Sequence, residues 1–135
     1  MQLTMRGLDT NVVVRYLTQD DPIQAQKATQ VIEEGVDQGE VFYLTSIVLC
    51  ELVWVLEDAY DYSRRDIETV LDRILRTAQF RFDHKDQLWL ALHDYHAGPA
   101  DFSDYLIGRL GTQAGCTETL TFDTSLKNSP YFRLL

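Results

Sequence analysis

Short apolar segments that suit β-strands alternate along this chain with longer segments of helical periodicity. The predicted strands lie at residues 4–8, 41–44, 79–82, 118–122 and 131–135, and the first is expected to be buried. Between them, apolar residues recur three and four positions apart, which is the spacing of one helix face. Strands that alternate with helices, with few hairpin-type turns, indicate a parallel sheet. The sequence therefore predicts the α/β class, with a mainly parallel central sheet and helices on both of its faces.

Local signals predict where several of the helices begin and end. Thr45 or Ser46 can cap the helix that follows the second strand. Ser63, with Asp66 three residues later, forms a capping-box pattern at the start of the next helix. Gly115 follows the helix predicted over residues 101–114 and suits the left-handed conformation at a helix end.

Length and composition indicate a single globular domain over residues 1–135, with 45% hydrophobic residues. No apolar run approaches the ~18 residues needed to span a bilayer, and no apolar signal core appears near Met1. We therefore expect a cytoplasmic protein that has no contact with a membrane. Cys50 and Cys116 lie in segments predicted to be helical and apolar, and we expect them to be free, buried thiols.

The net charge of −9 disfavours loose electrostatic adhesion to nucleic acid. Bound divalent cations would soften that objection, because they concentrate positive charge where a phosphate would lie. The acidic surface also suits a basic protein partner.

Acidic residues stand at four separate points that predicted strands and helices bring into apolar surroundings. Asp9 and Asp123 each follow an apolar strand, Glu51 lies within an apolar helix, and Asp101 and Asp104 begin another helix. In parallel sheets, ligands bind beyond the carboxyl ends of the strands. Carboxylates gathered there would repel one another unless cations are bound. Oxygen ligands without a matching cysteine or histidine set favour Mg²⁺ or Mn²⁺.

Structural explanations compete with metal binding at each of these points. Asp9 and Asp101 could simply cap helices, and Asp123 could start a turn. Glu51 is harder to explain in this way, because apolar residues surround it in sequence and no Lys or Arg stands three or four positions away. We therefore expect Glu51 to be buried and functional. Asp104 is the preferred ligand of its pair, and Asp101 is expected to act through water or to orient it.

These residues carry a resemblance to the PIN-domain nucleases, and most closely to the VapC toxins of bacterial and archaeal toxin–antitoxin pairs. The resemblance implies a PIN-like three-layer α/β/α sandwich. It also implies that Asp9, Glu51, Asp104 and Asp123 gather around Mg²⁺ or Mn²⁺. Asn11 and Thr121 would support that cluster. The motifs that carry it are Leu8-Asp9-Thr10-Asn11, Glu51-Leu52-Val53-Trp54-Val55-Leu56, Ala100-Asp101-Phe102-Ser103-Asp104-Tyr105-Leu106-Ile107 and Thr121-Phe122-Asp123.

The activity implied is hydrolysis of RNA phosphodiester bonds by a metal-dependent endoribonuclease that acts as a toxin. Its implied partners are an RNA substrate, a VapB-type antitoxin and a second copy of the chain. An apolar groove between helices would bind the antitoxin. Arg15 and Lys127 are candidates for phosphate contact because each lies a few residues from a predicted ligand. Gly108 departs from the alanine that such toxins more often carry, and glycine is expected to loosen the helix slightly.

Two alternatives remain from the sequence. One is a PIN nuclease of RNA maturation or decay that has no antitoxin. The other is a catalytically inactive PIN-like interaction module, against which the full acidic set argues. A phosphatase or a flap-type DNA nuclease could use the same carboxylates, but 135 residues leave little room for the additional elements such substrates need.

Overall fold

A computed structural model describes residues 4–135, which divide into two compact units. The first unit ends at Asp83, and the second comprises His84–Leu135. The first contains β1 (Met5–Gly7), α1 (Thr10–Thr18), α2 (Pro22–Asp37), β2 (Val41–Leu44), α3 (Ser46–Tyr60), α4 (Arg64–Arg76) and β3 (Phe80–Phe82). The second contains α5 (Lys85–Ala97), α6 (Phe102–Gln113), β4 (Thr119–Thr121), a 3₁₀ turn (Thr124–Leu126) and β5 (Phe132–Leu134).

The first unit is built on a parallel three-stranded sheet with the order β1-β2-β3. Gly7 is in register with Tyr43, and Leu44 with Phe82, so the carboxyl ends of the three strands lie at one edge. Phe42 and Leu44 of β2 are fully buried, which makes β2 the centre of this core. The α/β class and the parallel strand pairing predicted from the sequence are confirmed.

The predicted caps of the helices are also present. Thr45 caps α3 by accepting a hydrogen bond from the Val48 N–H. Ser63 and Asp66 form both hydrogen bonds of a capping box at the start of α4. These bonds satisfy backbone N–H groups that lack partners within a first helical turn.

The second unit packs α5 against α6 and adds a parallel pair of strands, β4 and β5. Tyr95 of α5 meets Phe102 of α6 edge-on, with ring centroids 6.3 Å apart. Phe132 of β5 approaches α6 so closely that a Cβ atom on Gly108 would lie 2.5 Å from its ring. Gly108 is therefore a point of close contact between α6 and β5, and its role is more than the slight loosening expected from helix propensity.

Three expectations about burial were wrong. β1 is exposed along its length, because it is an edge strand of the sheet. Glu51 is exposed, because α3 is buried on one face and leaves Ile47 (71% exposed) and Trp54 (49% exposed) on the other. Cys116 is exposed and lies beyond the end of α6, whereas Cys50 of α3 is half-buried.

None of the helices in residues 4–135 is both long and apolar enough to cross a lipid bilayer.

Candidate metal-binding and catalytic residues

Asp9 and Glu51 are linked in the first unit through Thr10. The Thr10 N–H donates to Asp9 Oδ1 at 2.8 Å, and the buried Thr10 hydroxyl donates to Glu51 Oε1 at 2.7 Å. Asp9 therefore caps α1, as the structural alternative proposed, and the same turn also holds Glu51 from α3. One residue thus fixes two carboxylates that are 42 positions apart in sequence. Thr10 belongs to the motif Leu8-Asp9-Thr10-Asn11, but the sequence alone did not predict a role for it.

Asp83 is a second residue that sequence reasoning missed. It follows β3 at the carboxyl edge of the sheet, and its Oδ1 accepts hydrogen bonds from the N–H (2.7 Å) and the hydroxyl (2.5 Å) of Ser46. Ser46 begins α3, so Asp83 positions the helix that carries Glu51. The available signal was the one used for Asp9 and Asp123, namely an aspartate directly after an apolar strand.

The thiol of Cys50 does not compete with the carboxylates as a metal ligand. Burial raises the pKa of Cys50 to about 11, and repulsion from Asp83 and Glu51 acts in the same direction. Because a thiol binds metals as the thiolate, Cys50 remains protonated and weakly ligating near neutral pH. The donors available here are therefore oxygen atoms.

In the second unit, Asp101 and Asp123 both act electrostatically on Asp104. The pKa of Asp104 is raised, first by burial and then by repulsion from Asp101 and Asp123. Asp104 is half-buried, while Asp101 and Asp123 are exposed. This arrangement disfavours the ionised form of Asp104 unless a cation offsets the repulsion.

Hydrogen bonds distinguish Asp101 from Asp123. Asp101 stands at the cap position of α6, but its side chain makes no capping hydrogen bond. Asp123 Oδ1 accepts from the N–H (2.9 Å) and hydroxyl (2.7 Å) of Ser125, and these bonds lower the pKa of Asp123. Thr121 Oγ1 in turn accepts from the Asp123 N–H at 3.0 Å, so Thr121 and Ser125 together fix the Asp123 turn.

The five predicted ligand carboxylates have no cationic partner in the described part of the chain. Within residues 4–135, none of Asp9, Glu51, Asp101, Asp104 and Asp123 forms an ion pair with a basic side chain. Acidic residues elsewhere do form such pairs, namely Glu40 with Arg6, Asp20 with Arg15, Asp72 with Arg76, Asp94 with Arg109, and Glu118 with Arg133. The predicted ligands are therefore among the carboxylates that remain available to an external cation, and Asp58 and Asp83 are others that form no ion pair in residues 4–135.

The donor chemistry fits a hard divalent cation, because the residues offer carboxylate oxygens and no thiolate. Among residues 4–135, however, no three histidine, cysteine, aspartate or glutamate side chains lie close enough together to hold a metal ion. Within the second unit, Asp101 and Asp123 act electrostatically on Asp104, but these residues do not form a ligand set by themselves.

The two candidates for phosphate contact differ in availability. The Arg15 guanidinium is engaged with Gln24, Asp20 and the Tyr60 hydroxyl, at 2.7, 3.1 and 3.0 Å. Lys127 is exposed and has no acidic partner in the described part of the chain. Lys127 is therefore the better placed of the two. Asn11 is exposed in the first turn of α1.

The sequence matches a known family across both units. The family model described as the PIN domain matches residues 8–129, a range that contains all five of these acidic residues. The chain therefore belongs to the PIN-domain family. It is similar to the VapC ribonuclease of Aquifex aeolicus (strain VF5), with 28% identity over 123 residues that cover 91% of this chain and 90% of that protein. Both similarities support the nuclease activity expected from the sequence.

Proposed function

We propose that this protein is a divalent-metal-dependent endoribonuclease and that Asp9, Glu51, Asp104 and Asp123 form its active site. The observation that carries the proposal is the match of the PIN-domain family to residues 8–129, a range that contains all four carboxylates. The similarity to a VapC ribonuclease supports RNA as the substrate. Because the family match spans both units, it also supports a single PIN domain over residues 1–135.

The residues of the proposed site have separate tasks. The four carboxylates hold Mg²⁺ or Mn²⁺, while Asp101 acts through water or orients Asp104. Thr10 holds Glu51, and Thr121 and Ser125 hold Asp123, so the hydrogen bonds already present limit the ligand rearrangement needed. Asn11 supports the cluster from the start of α1.

The reaction proposed is hydrolysis of an RNA phosphodiester. Water attacks the phosphorus atom, the bond from phosphorus to the 3′ oxygen breaks, and that oxygen takes up a proton. The products then carry 5′-phosphate and 3′-hydroxyl ends. A bound divalent cation supplies the activation of water and the neutralisation of negative charge on the phosphate.

Replacing Asp9 by Asn or Glu51 by Gln is expected to lower RNA cleavage by roughly 10²-fold or more, since each change removes a ligand charge. The measurement is cleavage of bulk RNA and of structured tRNA by the purified chain, with Mg²⁺, Mn²⁺ or a chelator. Wild-type cleavage should require the metal.

Asp58→Asn is the matched control, because Asp58 is an exposed carboxylate two helical turns from Glu51 on α3. This variant should cleave RNA at the wild-type rate. Wild-type cleavage that persists in both Asp9→Asn and Glu51→Gln would refute the assignment of the site. Absence of both metal binding and RNA cleavage in the wild type would refute the nuclease.

We further propose that the protein is the toxin of a toxin–antitoxin pair, acts as a homodimer and is bound by a VapB-type antitoxin. A cavity of about 740 Å³ in the first unit supports the partner proposal. An amphipathic segment could place its apolar face there. Apolar side chains from three helices line it, including Val13, Tyr16, Leu17, Ile32, Val36, Val70 and Ile74.

Val70→Asp is expected to weaken binding of the VapB-type antitoxin by about tenfold or more, because it places a charge in an apolar groove. Val31→Asp is the matched control, since Val31 lies on α2 and does not line this cavity. Binding can be measured by calorimetry, and sedimentation of the free chain tests the homodimer. Equal binding by both variants would exclude the groove as the docking site.

A further inference from the structure

The second unit contains a cavity of about 490 Å³. Its walls come from two segments, one running from Asp94 to Tyr105 and the other from Thr124 to Tyr131. The first segment contains Asp101 and Asp104, and the second directly follows Asp123. The cavity wall therefore includes Ser125, the hydrogen-bond partner of Asp123.

Two residues connect the cavity wall to these carboxylates. Ser125 lines the cavity and donates its hydroxyl hydrogen bond to Asp123 Oδ1. Tyr105 also lines it and is the neighbour of Asp104 in α6, and the Tyr105 hydroxyl accepts a hydrogen bond from the Ala100 N–H at 3.1 Å. A ligand in the cavity would thus lie one side chain away from Asp123.

The lining has a different charge balance from the chain as a whole. Asp94 is its acidic residue, and Arg109 neutralises it through two hydrogen bonds of 2.7 and 2.9 Å. The same guanidinium lies 4.0 Å from the centre of the Tyr131 ring, which fixes that wall. Lys127 adds a positive charge that has no acidic partner among residues 4–135. In a chain of net charge −9, this is a place where an anion can approach.

We propose that this cavity binds a nucleotide of the RNA substrate adjacent to the bond that is cut, with a phosphate against Lys127. The inference rests on the proposed ribonuclease function and assigns the site a substrate-binding residue. A cavity of this volume falls within the range of small-ligand sites. Asn128 and Ser129 line it as well and provide polar groups for a base edge or a 2′-hydroxyl.

The test measures RNA binding and cleavage by four proteins, namely the wild type, Lys127→Ala, Ala97→Leu and Lys27→Ala. Ala97 lines the cavity from the exposed end of α5, so Ala97→Leu fills part of the cavity. This variant retains Lys127 and its charge. Lys27→Ala removes the same charge from an exposed position on α2, outside this cavity. The probe for binding is a fluorescently labelled single-stranded RNA, with chelator present so that the RNA is not cut.

Lys127→Ala should weaken RNA binding about tenfold and raise KM to a similar extent, with kcat nearly unchanged. It should also reduce the slope of log affinity against log salt by about 0.7, the value for one phosphate contact to a single strand. Ala97→Leu should weaken binding several-fold without changing that slope. Lys27→Ala should bind within about twofold of the wild type, because an exposed distant charge is screened.

Three results would overturn the inference while leaving the ribonuclease intact, provided that the wild type cuts RNA. These are wild-type binding by Lys127→Ala, equal losses in Lys127→Ala and Lys27→Ala, and no effect of Ala97→Leu. A wild-type protein that neither binds nor cuts RNA would overturn both the inference and the proposed function. Thermal unfolding of each variant shows that a loss of binding is not a loss of folding.

Discussion

Asp104→Asn is expected to lower RNA cleavage by about 10³-fold or more while raising the thermal stability of the metal-free protein. The loss of activity follows from the removal of one charged ligand oxygen from the proposed cation site. Asp104 is the ligand whose surroundings most oppose a negative charge, since burial and two neighbouring carboxylates all raise its pKa. A carboxylate whose pKa is raised by burial and by neighbouring carboxylates is a candidate for a functional site.

The gain in stability follows from the direction of the pKa shift. The folded chain holds the Asp104 proton more tightly than the unfolded chain does, so the free energy of unfolding falls as pH rises through the folded pKa of Asp104. At neutral pH the ionised carboxylate is therefore destabilising, and Asn relieves the repulsion from Asp101 and Asp123. We expect the Tm to rise by roughly 1–3 °C in chelator. The difference should disappear at acidic pH, where Asp104 is protonated in the wild type.

Cleavage assays and thermal unfolding, with and without Mg²⁺, check both parts of this prediction. Mg²⁺ should raise the Tm of the wild type and have little effect on Asp104→Asn. Asp101→Asn provides the comparison within the same loop and helix. It should lose less activity if Asp101 acts through water. A larger loss of activity in Asp101→Asn than in Asp104→Asn would mean that Asp101, and not Asp104, is the direct ligand. Full activity in Asp104→Asn would mean that Asp104 is not part of the site.

The elements of secondary structure were predictable because their signals are local. β2 has the predicted bounds, Val41–Leu44, and the capping box of Ser63 and Asp66 depends on residues three positions apart. Asp9 and Asp123 were correctly placed after strands by the same local pattern. Such features are encoded in short windows of sequence, where turn chemistry and periodicity decide the outcome.

Long-range contacts were not predictable in this way. The hydrogen bond from Thr10 to Glu51 joins residues 41 positions apart, and that from Ser46 to Asp83 joins residues 37 positions apart. The exposure of Glu51 was missed for a related reason. An apolar run over a whole helix does not reveal which face remains uncovered, and the answer depends on the elements packed against α3.

Gly108 shows most clearly how a tertiary contact reverses a local expectation. From helix propensity alone, Gly108→Ala should stabilise α6 by about 1 kcal/mol. In the folded unit, the new Cβ atom would lie 2.5 Å from Phe132 Cε2 and 2.9 Å from Cζ. Gly108 is buried, and overpacking of a close contact costs about 1–3 kcal/mol. We therefore expect Gly108→Ala to lower the free energy of unfolding by about 1 kcal/mol.

Urea unfolding of Gly108→Ala, Phe132→Leu and the double variant would separate the two contributions. If the clash decides the sign, Ala at position 108 should be destabilising beside Phe132 and stabilising beside the smaller Leu. The double variant would then be more stable than the sum of the two single changes predicts, because the two residues are in contact. A stabilising effect of Gly108→Ala in the wild-type background would mean that the Phe132 ring moves aside at little cost. In that case the contact between β5 and α6 would not require glycine at position 108.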